Sequence, residues 1–512
     1  MCGKEKKFHR NSVLRMVFVA VSFLVQMGWL LLRIQWLNAY SEIISALTGL
    51  LAVAVVLKLN AKNTNSAMKM PWIMLIMAFP LMGLTLYLLM ETLGDPGVGK
   101  RLRGIRREMA AEMPESAWDA FAHLEAQNRS LANQSRYLLH QAGAPVYEHT
   151  QVRYYAQAKD AFRDLKEALE AAEQFIFMEY FIVEDGSAFR ELEEILVRKA
   201  QKGIEVRLMY DDLGSSGKVS LAFAKRLNER GVRCVPFNPA LPLLNLFLNH
   251  RDHRKITVID GKVGFTGGYN LAEEYFDRTR PYGHWKDTGL RLEGEAVRSL
   301  TAMFLELWCI QRGKREDLGK YRDICHRVPA CGFVQPYGDN PLEGQRVAET
   351  VYMNLINRAE KSIYFMTPYL ILTDEMIHAL GLAAMRGVDV RIITPGIPDK
   401  KTIYAVTRSY YGGLVKQGVR IYEYSPGFCH AKQCICDEEI VSIGTSNLDY
   451  RSLYHHFENN VLLIGCGAVK EIAADFAATL AQCREVTEAY QQGRGAMLRT
   501  WQNILRLFAP LM

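Results

Sequence analysis

Long apolar runs are concentrated in the first ninety or so positions of the chain. The first run carries no charged residue and is flanked by Arg15 and Arg33, whose side chains can extend to a membrane interface. The run lengths and the missing polar face predict a membrane-embedded helical region over residues 1–99, with core helices of a soluble domain as the alternative. The three apolar runs cover residues 16–32, 43–57 and 70–90.

Clusters of lysine and arginine near these runs leave the membrane topology open. Each cluster marks a cytoplasmic flank, and three full spans cannot satisfy all of them. If the short middle run enters and returns, or if the first run does not span, both chain ends are cytoplasmic. We therefore expect a multi-pass membrane protein whose remaining chain lies on the cytoplasmic side. The clusters lie within residues 4–10, 58–69 and 100–107.

After a charged connector over residues 100–144, strand-like and helix-like segments alternate and the sequence repeats itself. In each copy an apolar strand precedes an amphipathic helix, a glycine and another apolar strand, which is typical of βαβ units in a buried, mainly parallel sheet. A chance likeness between two generic βαβ units is the alternative. The pattern predicts two copies of one α/β domain, at residues 145–330 and 331–492. The matching segments are 172–180 with 359–367, 202–207 with 386–391, and 231–233 with 418–420.

Composition narrows the classes of function. With 49% hydrophobic and 10% aromatic residues, the chain is not a disordered one. The 62 basic and 55 acidic residues give a net charge of +7, which is too dilute to indicate nucleic-acid binding. Ten scattered cysteines without a CxxC pair favour free thiols over a disulfide scaffold or a zinc ribbon.

One polar motif occurs at the equivalent place in both copies. Its spacing is the same each time: Lys two residues after His, Asp five after Lys, Gly seven after Asp, and Asn three after Gly. Two such matches at equivalent repeat positions are improbable by chance. The residues are His253, Lys255, Asp260, Gly267 and Asn270 in the first copy, and His430, Lys432, Asp437, Gly444 and Asn447 in the second.

Strand-like residues follow the lysine in both copies, so the His and Lys side chains point to the same side of a strand. If the copies meet face to face, one cleft holds two imidazoles, two ammonium groups and two amides, with no evident metal cage. Such a cleft suits an anionic phosphodiester, because the ammonium and amide groups stabilise its charged oxygens. One imidazole attacks phosphorus while the other protonates the leaving alcohol, and the roles reverse when a hydroxyl displaces the phosphohistidine. No metal or cofactor is expected.

The duplicated H-x-K-x4-D motif resembles that of the phospholipase D superfamily, and the likeness extends over nearly the whole chain. It is strongest to the bacterial cardiolipin synthases, whose signatures are similar to residues 249–256, 284–287 and 444–452. The resemblance implies two tandem phospholipase D-like α/β sandwich domains that face each other. It also implies metal-independent transfer of a phosphatidyl group between two phosphatidylglycerol molecules at the bacterial cell membrane, giving cardiolipin and glycerol.

The resemblance further implies roles for the site residues, with His253 as the nucleophile and His430 as the general acid and base. Family position suggests that Asp287 in the first half and Glu458 in the second orient the imidazoles, since a nucleophilic histidine must present one nitrogen and anchor the other. The motif aspartates have a second interpretation, in which they tie the motif strand to its neighbours. The expected substrate-binding residues are Asn270 and Asn447. The expected catalytic set is His253, Lys255, Asp260, His430, Lys432 and Asp437.

Three histidines depart from the pattern of that family. His250 stands where an aromatic residue is more common, and His455 and His456 stand where non-ionisable residues are expected. Added imidazoles near the cleft would change its pH dependence or add a proton relay. A metal site formed by His250 and His253 is disfavoured, because the strand puts the two side chains on opposite faces.

The carboxyl-terminal segment, residues 493–512, has the pattern of an amphipathic basic helix. It suits the lipid interface beside the mouth of the active site, and packing against its own domain is the alternative.

The predicted function is membrane-bound phosphatidyl transfer, with the bilayer and phosphatidylglycerol as partners and no nucleic acid. Hydrolysis of phospholipid, or transfer to another acceptor such as phosphatidylethanolamine, remains open, because the motif says little about the second nucleophile. A membrane-anchored nuclease is disfavoured by the mixed charges between residues 151 and 332. A catalytically dead lipid-binding scaffold would need a broken motif, and both motifs are intact.

Overall fold

The computed structural model describes residues 28, 41–92, 96–110, 114–239, 250–313, 316, 318–322, 324, 326–492, 496–507 and 509–511. The chain divides into two compact units. Apart from the last two residues, the amino-terminal unit spans 1–96 with 238–249, and the larger unit spans 97–237 with 250–510. The predicted apolar run at 16–32 lies outside the described residues, apart from residue 28.

The described helices of the amino-terminal unit are α1 (Ser41–Ala61), α2 (Ser66–Ala78) and α3 (Pro80–Thr92). Asn65 begins α2, because its side chain accepts a hydrogen bond from the Ala67 N–H at 2.9 Å. The run at 70–90, expected as one membrane segment, is broken at Phe79, since Pro80 disfavours helical backbone in the preceding residue. Within the described part of the chain, no helix has both the length and the apolar character that crossing a membrane requires.

Helices α2 and α3 pack closely at Gly83. A Cβ atom on Gly83 would lie 2.6 Å from the Ile76 Cα, so only glycine permits this approach. Trp72 meets Tyr87 edge to face, with ring centroids 5.7 Å apart. Helix α1 contributes Ala52, Val55 and Leu59 to the same buried cluster.

The larger unit begins with the helices α4 (Pro96–Ala110), α5 (Glu115–Gln127) and α6 (Arg129–Gln141). The described residues of the predicted connector at 100–144 are therefore mostly helical. Helix α6 buries Leu131 and Leu138. The Gln335 amide donates hydrogen bonds to the carbonyl oxygens of Ser135 and Ala144, at 3.2 and 2.8 Å. These contacts tie the connector to the second half of the unit.

The first half contains a seven-stranded sheet in the order β1-β9-β7-β6-β2-β3-β4. Only β2, β3 and β4 are parallel neighbours, and the other pairings are antiparallel. The expectation of a mainly parallel sheet is wrong here, because tight turns rather than helices join the motif strands, as at Asp260 and Gly261 with φ of 54° and 65°. The strands are β1 (Thr150–Tyr155), β2 (Phe175–Tyr180), β3 (Glu205–Asp211), β4 (Arg233–Phe237), β5 (Arg251–Asp252), β6 (Lys255–Ile259), β7 (Val263–Gly267), β8 (His284–Lys286) and β9 (Gly289–Gly294).

The second half repeats this sheet in the order β10-β17-β16-β15-β11-β12-β13, with β18 added at the edge. Within this order, again only β11, β12 and β13 are parallel neighbours. The order and the directions match those of the first sheet, as two copies of one domain require. The strands are β10 (Phe333–Asp339), β11 (Ser362–Met366), β12 (Asp389–Pro395), β13 (Arg420–Tyr424), β14 (Gly427–Cys429), β15 (Gln433–Cys436), β16 (Ile440–Gly444), β17 (His456–Ile464) and β18 (Cys483–Glu485).

Helices cover the sheets and bury their apolar sides against them. In α10, for example, Phe304 stacks on Phe177 of β2 with ring centroids 4.7 Å apart. The helices of the two halves are α7 (Ala158–Glu170), α8 (Ser187–Gln201), α9 (Phe223–Glu229), α10 (Val297–Arg312), α11 (Gly319–Arg322), α12 (Val347–Arg358), α13 (Asp374–Met385), α14 (Lys401–Val415), α15 (Tyr450–Tyr454), α16 (Gly467–Leu480), α17 (Thr487–Gln491) and α18 (Ala496–Leu507).

Each half lends a short strand to the other. Strand β5 pairs in parallel with the start of β17, and β14 pairs in parallel with β8. The chain then continues directly into a motif histidine, whose N–H donates across the junction: His253 to the Phe457 carbonyl at 2.9 Å, and His430 to the Lys286 carbonyl at 2.7 Å. The exchange therefore positions each motif histidine against the opposite half.

Candidate active site

Each motif histidine lies beside a carboxylate that comes from the other half. His253 Nδ1 is 2.9 Å from both carboxylate oxygens of Glu458, and His430 Nδ1 is 2.6 Å from Asp287 Oδ2. All four side chains are buried. The sequence paired Asp287 with the first half and Glu458 with the second. The structure reverses that pairing, because the exchanged strands carry each histidine to the carboxylate of the opposite half.

The two motif lysines are buried, each beside the histidine of its own motif. Lys255 Nζ donates to the His253 carbonyl at 2.5 Å, and Lys432 Nζ donates to the His430 carbonyl and lies 2.8 Å from His430 Nδ1. Burial lowers the pKa of Lys255 to about 7 and that of Lys432 to about 8. The cleft therefore disfavours its own positive charge and favours an anionic ligand, which would compensate it.

Burial also keeps the two imidazoles neutral. It lowers the pKa of His253 to about 4 and that of His430 well below the ordinary value, and the neighbouring ammonium groups act in the same direction. A neutral imidazole that donates its Nδ1–H to a carboxylate presents the Nε2 lone pair, which is the form that a nucleophile requires.

The two carboxylates differ in their electrostatics. Burial opposes ionisation of Glu458, but the His253 imidazole and its hydrogen bond to the carboxylate outweigh burial and hold the Glu458 pKa below its usual value. Burial raises the pKa of Asp287 to about 7, against the opposing charge of Lys432. Glu458 is thus the more strongly ionised of the two.

Aromatic rings pack on both imidazoles at similar distances. Ring centroids lie 4.9 Å apart for Phe181 and His253, and 5.3 Å apart for Tyr275 and His430. A second ring also packs on each imidazole at 5.3 Å, from the residue two positions before the orienting carboxylate. That residue is His456 on the His253 side and Trp285 on the His430 side.

The motif aspartates do not reach the imidazoles. The Asp260 carboxylate accepts three backbone hydrogen bonds at the start of β2, at 2.8, 2.7 and 2.9 Å. Asp437 does the same at the start of β11, at 3.0, 2.8 and 2.8 Å. Both lie at the end of the motif strand away from the histidine. These contacts fit the interpretation in which the two aspartates tie strands together, and their place in the catalytic set stays a prediction.

The two motif asparagines differ in their contacts. Asn270 accepts a hydrogen bond from the Ile182 N–H at 3.0 Å and donates one to the Tyr275 hydroxyl at 2.8 Å. Its amide thus supports the ring that packs on His430. The buried Asn447 Oδ1 has no protein hydrogen-bond partner among the described residues. Substrate binding by the asparagines stays a prediction.

Two polar residues of the site escaped sequence reasoning. Thr445 donates its hydroxyl hydrogen bond to Glu458, and Asn459 Oδ1 accepts from the Lys255 N–H at 3.3 Å. Thr445 occupies the position that Gly268 holds in the other copy. A residue-by-residue comparison of the repeats therefore shows an extra hydroxyl group in the second motif. Asn459 follows Glu458 directly, but its contact with the first half is visible only in the fold.

Comparison with known proteins agrees with this fold. A family model described as "Cardiolipin synthase, PLD-like domain" matches residues 165–308 and 352–480. A cardiolipin synthase of Halalkalibacterium halodurans is 33% identical over 499 residues, which cover 95% of each chain. An uncharacterized protein of Streptococcus mutans is 42% identical over 443 residues, covering 86% of this chain and 96% of that one.

A solved structure supports the same fold. The crystal structure of phosphatidylserine synthase from Haemophilus influenzae matches with a TM-score of 0.55 and 14% identity, covering 75% of this chain and 98% of that one. The fold and the paired motifs define an enzyme of the phospholipase D superfamily. Within it, the chain belongs to the cardiolipin synthase family and is a phosphatidyltransferase.

Proposed function

We propose that the protein makes cardiolipin and glycerol from two phosphatidylglycerol molecules through a phosphohistidine on His253. The observation that carries this proposal is the pair of buried imidazoles, each held at Nδ1 by a carboxylate of the opposite half. Two such imidazoles can divide the work of nucleophile and proton carrier. The cardiolipin synthases among its relatives support the choice of substrate.

In the first step, His253 Nε2 forms a bond to phosphorus and the bond from phosphorus to the headgroup glycerol oxygen breaks. The leaving oxygen takes a proton from His430, so that glycerol departs neutral. The negative phosphate between Lys255 and Lys432 favours the protonated form of His430, which the empty cleft disfavours. The ionised Glu458 compensates the positive charge that the phosphorylated ring acquires.

In the second step, the neutral His430 removes a proton from a primary hydroxyl of the second phosphatidylglycerol. That oxygen bonds to phosphorus, the bond between phosphorus and nitrogen breaks, and the electron pair returns to His253. His430 again holds the proton, and the enzyme is regenerated. Protons and charge balance over the two steps without a metal ion.

The proposal includes a location at the bacterial cell membrane, with the catalytic halves on the cytoplasmic side. Helix α1 supports it, because Leu47, Leu50 and Leu57 are 61, 70 and 64% exposed and present apolar surface. The positively charged flanks of the apolar runs favour the cytoplasmic side.

The test is an assay of the purified, detergent-solubilised protein with phosphatidylglycerol alone in the presence of EDTA. Lipid products are resolved by mass spectrometry and released glycerol is measured. We expect cardiolipin and glycerol in equal amounts. Phosphatidic acid with glycerol would show that water is the acceptor, and no turnover until phosphatidylethanolamine is added would show that another lipid is. Either result would contradict the proposal.

A further inference from the structure

Beside the nucleophile lies a group of three buried side chains with the spacing of metal ligands. His253, His456 and Glu458 each offer a donor atom, and these atoms all lie within 4.8 Å of one another. All three side chains are buried. Two imidazoles and one carboxylate are a donor set that zinc uses in proteins, with a fourth position left open.

His456 has no role in the proposed reaction. Its Nδ1 lies 3.7 Å from Glu458 Oε1, which is too long for a hydrogen bond. Within the part of the chain that the structure describes, neither ring nitrogen has a hydrogen-bond partner, and the residue is only 6% exposed. A buried polar group without a hydrogen-bond partner destabilises the folded state. A ligand bound to the His456 imidazole would remove that cost.

The other half lacks this feature. The equivalent position there holds Trp285, whose ring packs on His430 at the same 5.3 Å centroid distance. An indole provides no metal ligand. The triad is therefore confined to the side of the nucleophile.

We propose that His253, His456 and Glu458 bind a divalent transition-metal ion such as Zn²⁺, and that this ion inhibits the enzyme. Thr445 donates to Glu458 Oε2, which leaves Oε1, the oxygen nearer His456, to ligate. The ammonium groups of Lys255 and Lys432 oppose a cation nearby. Binding is therefore reversible and weaker than at a structural zinc site.

Inhibition follows from the position of the single proton on the neutral His253 imidazole. A metal ion on His253 Nδ1 takes the lone pair there, so the single proton of the neutral imidazole moves to Nε2. Nε2 then has no lone pair for phosphorus. This step rests on the proposed function, whereas metal binding itself does not.

The experiment uses the full-length protein in detergent and Co²⁺ as a spectroscopic probe, followed by competition with Zn²⁺. We expect one Co²⁺ per chain with the visible absorption of a four-coordinate site. His456→Trp, which copies the other half, and His456→Gln should each weaken binding at least tenfold while circular dichroism stays unchanged. The matched control is His455→Gln, which removes the neighbouring histidine and should leave the affinity unchanged.

Activity is measured on the same proteins. Zn²⁺ should inhibit the wild type, EDTA should restore it, and the inhibition should need at least tenfold more Zn²⁺ in the His456 variants. The proposal is overturned by stoichiometric binding that persists in both His456 variants, by an equal loss in His455→Gln, or by a thiolate-to-cobalt band that puts the ion on cysteine. Binding without inhibition would refute the inhibitory role alone. A wild type that binds no Co²⁺ would refute the site, whatever reaction the enzyme performs.

Discussion

The two halves of the site share one arrangement of strand, histidine and carboxylate, but the pKa values of their carboxylates differ. In both, a short exchanged strand leads into a histidine, and a carboxylate of the opposite half holds its Nδ1. On the His253 side the carboxylate is the ionised Glu458, which also accepts from Thr445. On the His430 side it is Asp287, whose pKa burial raises to about 7. Duplication thus provides two similar imidazoles, and their neighbours make them unequal.

The difference bears on which imidazole does which task. A phosphorylated histidine carries positive charge, and an ionised carboxylate at its Nδ1 stabilises that state. A general acid and base must gain and lose its proton in each cycle. A neighbouring carboxyl group whose pKa is about 7, such as Asp287, permits both states. The comparison therefore favours His253 as nucleophile and His430 as proton carrier.

The largest expected effect is the loss of either imidazole. His253→Ala and His430→Ala should each lower the rate of transfer by at least about 10³-fold, because nucleophile and acid act as one unit. The measurement is cardiolipin formed from phosphatidylglycerol. The matched control is His378→Ala, an exposed histidine on α13, which should retain activity. Near-normal activity of His430→Ala would sink the two-histidine mechanism.

The next effect separates the two carboxylates. Glu458→Gln should lower kcat by about 10²–10⁴-fold at all pH values, since it removes the charge that orients His253. Asp287→Asn should cost less at about pH 6 than at about pH 8, because a carboxyl with a pKa of about 7 is already mostly protonated at the lower pH. The ratio of wild-type to variant kcat should therefore rise with pH for Asp287 only.

A pH-rate profile of both variants checks this prediction. Glu360→Gln, at an exposed carboxylate, serves as the control and should follow the wild type. Identical profiles for the Glu458 and Asp287 variants would contradict the electrostatic difference between the halves.

The motif aspartates should reveal a stability effect rather than a catalytic one. Asp260→Asn weakens three hydrogen bonds at the start of β2, and Asp437→Asn weakens three at the start of β11. We expect each to lower the free energy of unfolding by about 1–3 kcal/mol. Thermal unfolding and kcat per folded molecule are measured together. A kcat loss as large as that of His253→Ala in well-folded protein would show that Asp260 and Asp437 are catalytic residues.

The smallest expected effect concerns α18, the helix after the second half. Leu505 is buried and the Arg506 guanidinium lies 4.2 Å from the centre of the Tyr410 ring, whereas Trp501 and Ile504 are 55 and 45% exposed. The helix therefore packs on α14 and leaves an apolar face open, which suits a lipid surface. Trp501→Ser should raise KM for vesicles by about threefold and leave kcat in mixed micelles unchanged.

Met385→Ser is the control for that prediction, because Met385 is 67% exposed but belongs to α13 and not to α18. Equal changes in KM for both variants would argue against a membrane role for α18.

Much of this molecule was predictable from its sequence, because the signals are local. The repeated motif spacing gave the paired His and Lys side chains, and the βαβ pattern gave two copies of one α/β domain. The partner of each imidazole was not predictable. Strands β5 and β14 have two and three residues, too short for a hydrophobic period, and the His253 and Glu458 side chains are 205 positions apart. Only the folded chain brings them together.

The sequence pattern also failed to predict the direction in which the strands pair. Apolar runs in β6 and β15 fit parallel and antiparallel pairing equally well, because both faces of each strand are buried. The tight turn at Asp260 decides the direction, and its left-handed backbone is not written in the hydrophobic pattern.

The central claim is that His253 carries the phosphatidyl group while His430 moves the proton. The most direct test traps the intermediate in His430→Ala, with a phosphatidyl ester whose leaving group is a nitrophenol and needs no acid. Peptide mass spectrometry should then find the phosphatidyl group on His253, where it accumulates because no base activates the acceptor. A modified residue other than His253, or consumption of the ester by His430→Ala with no group retained on the protein, would contradict the account.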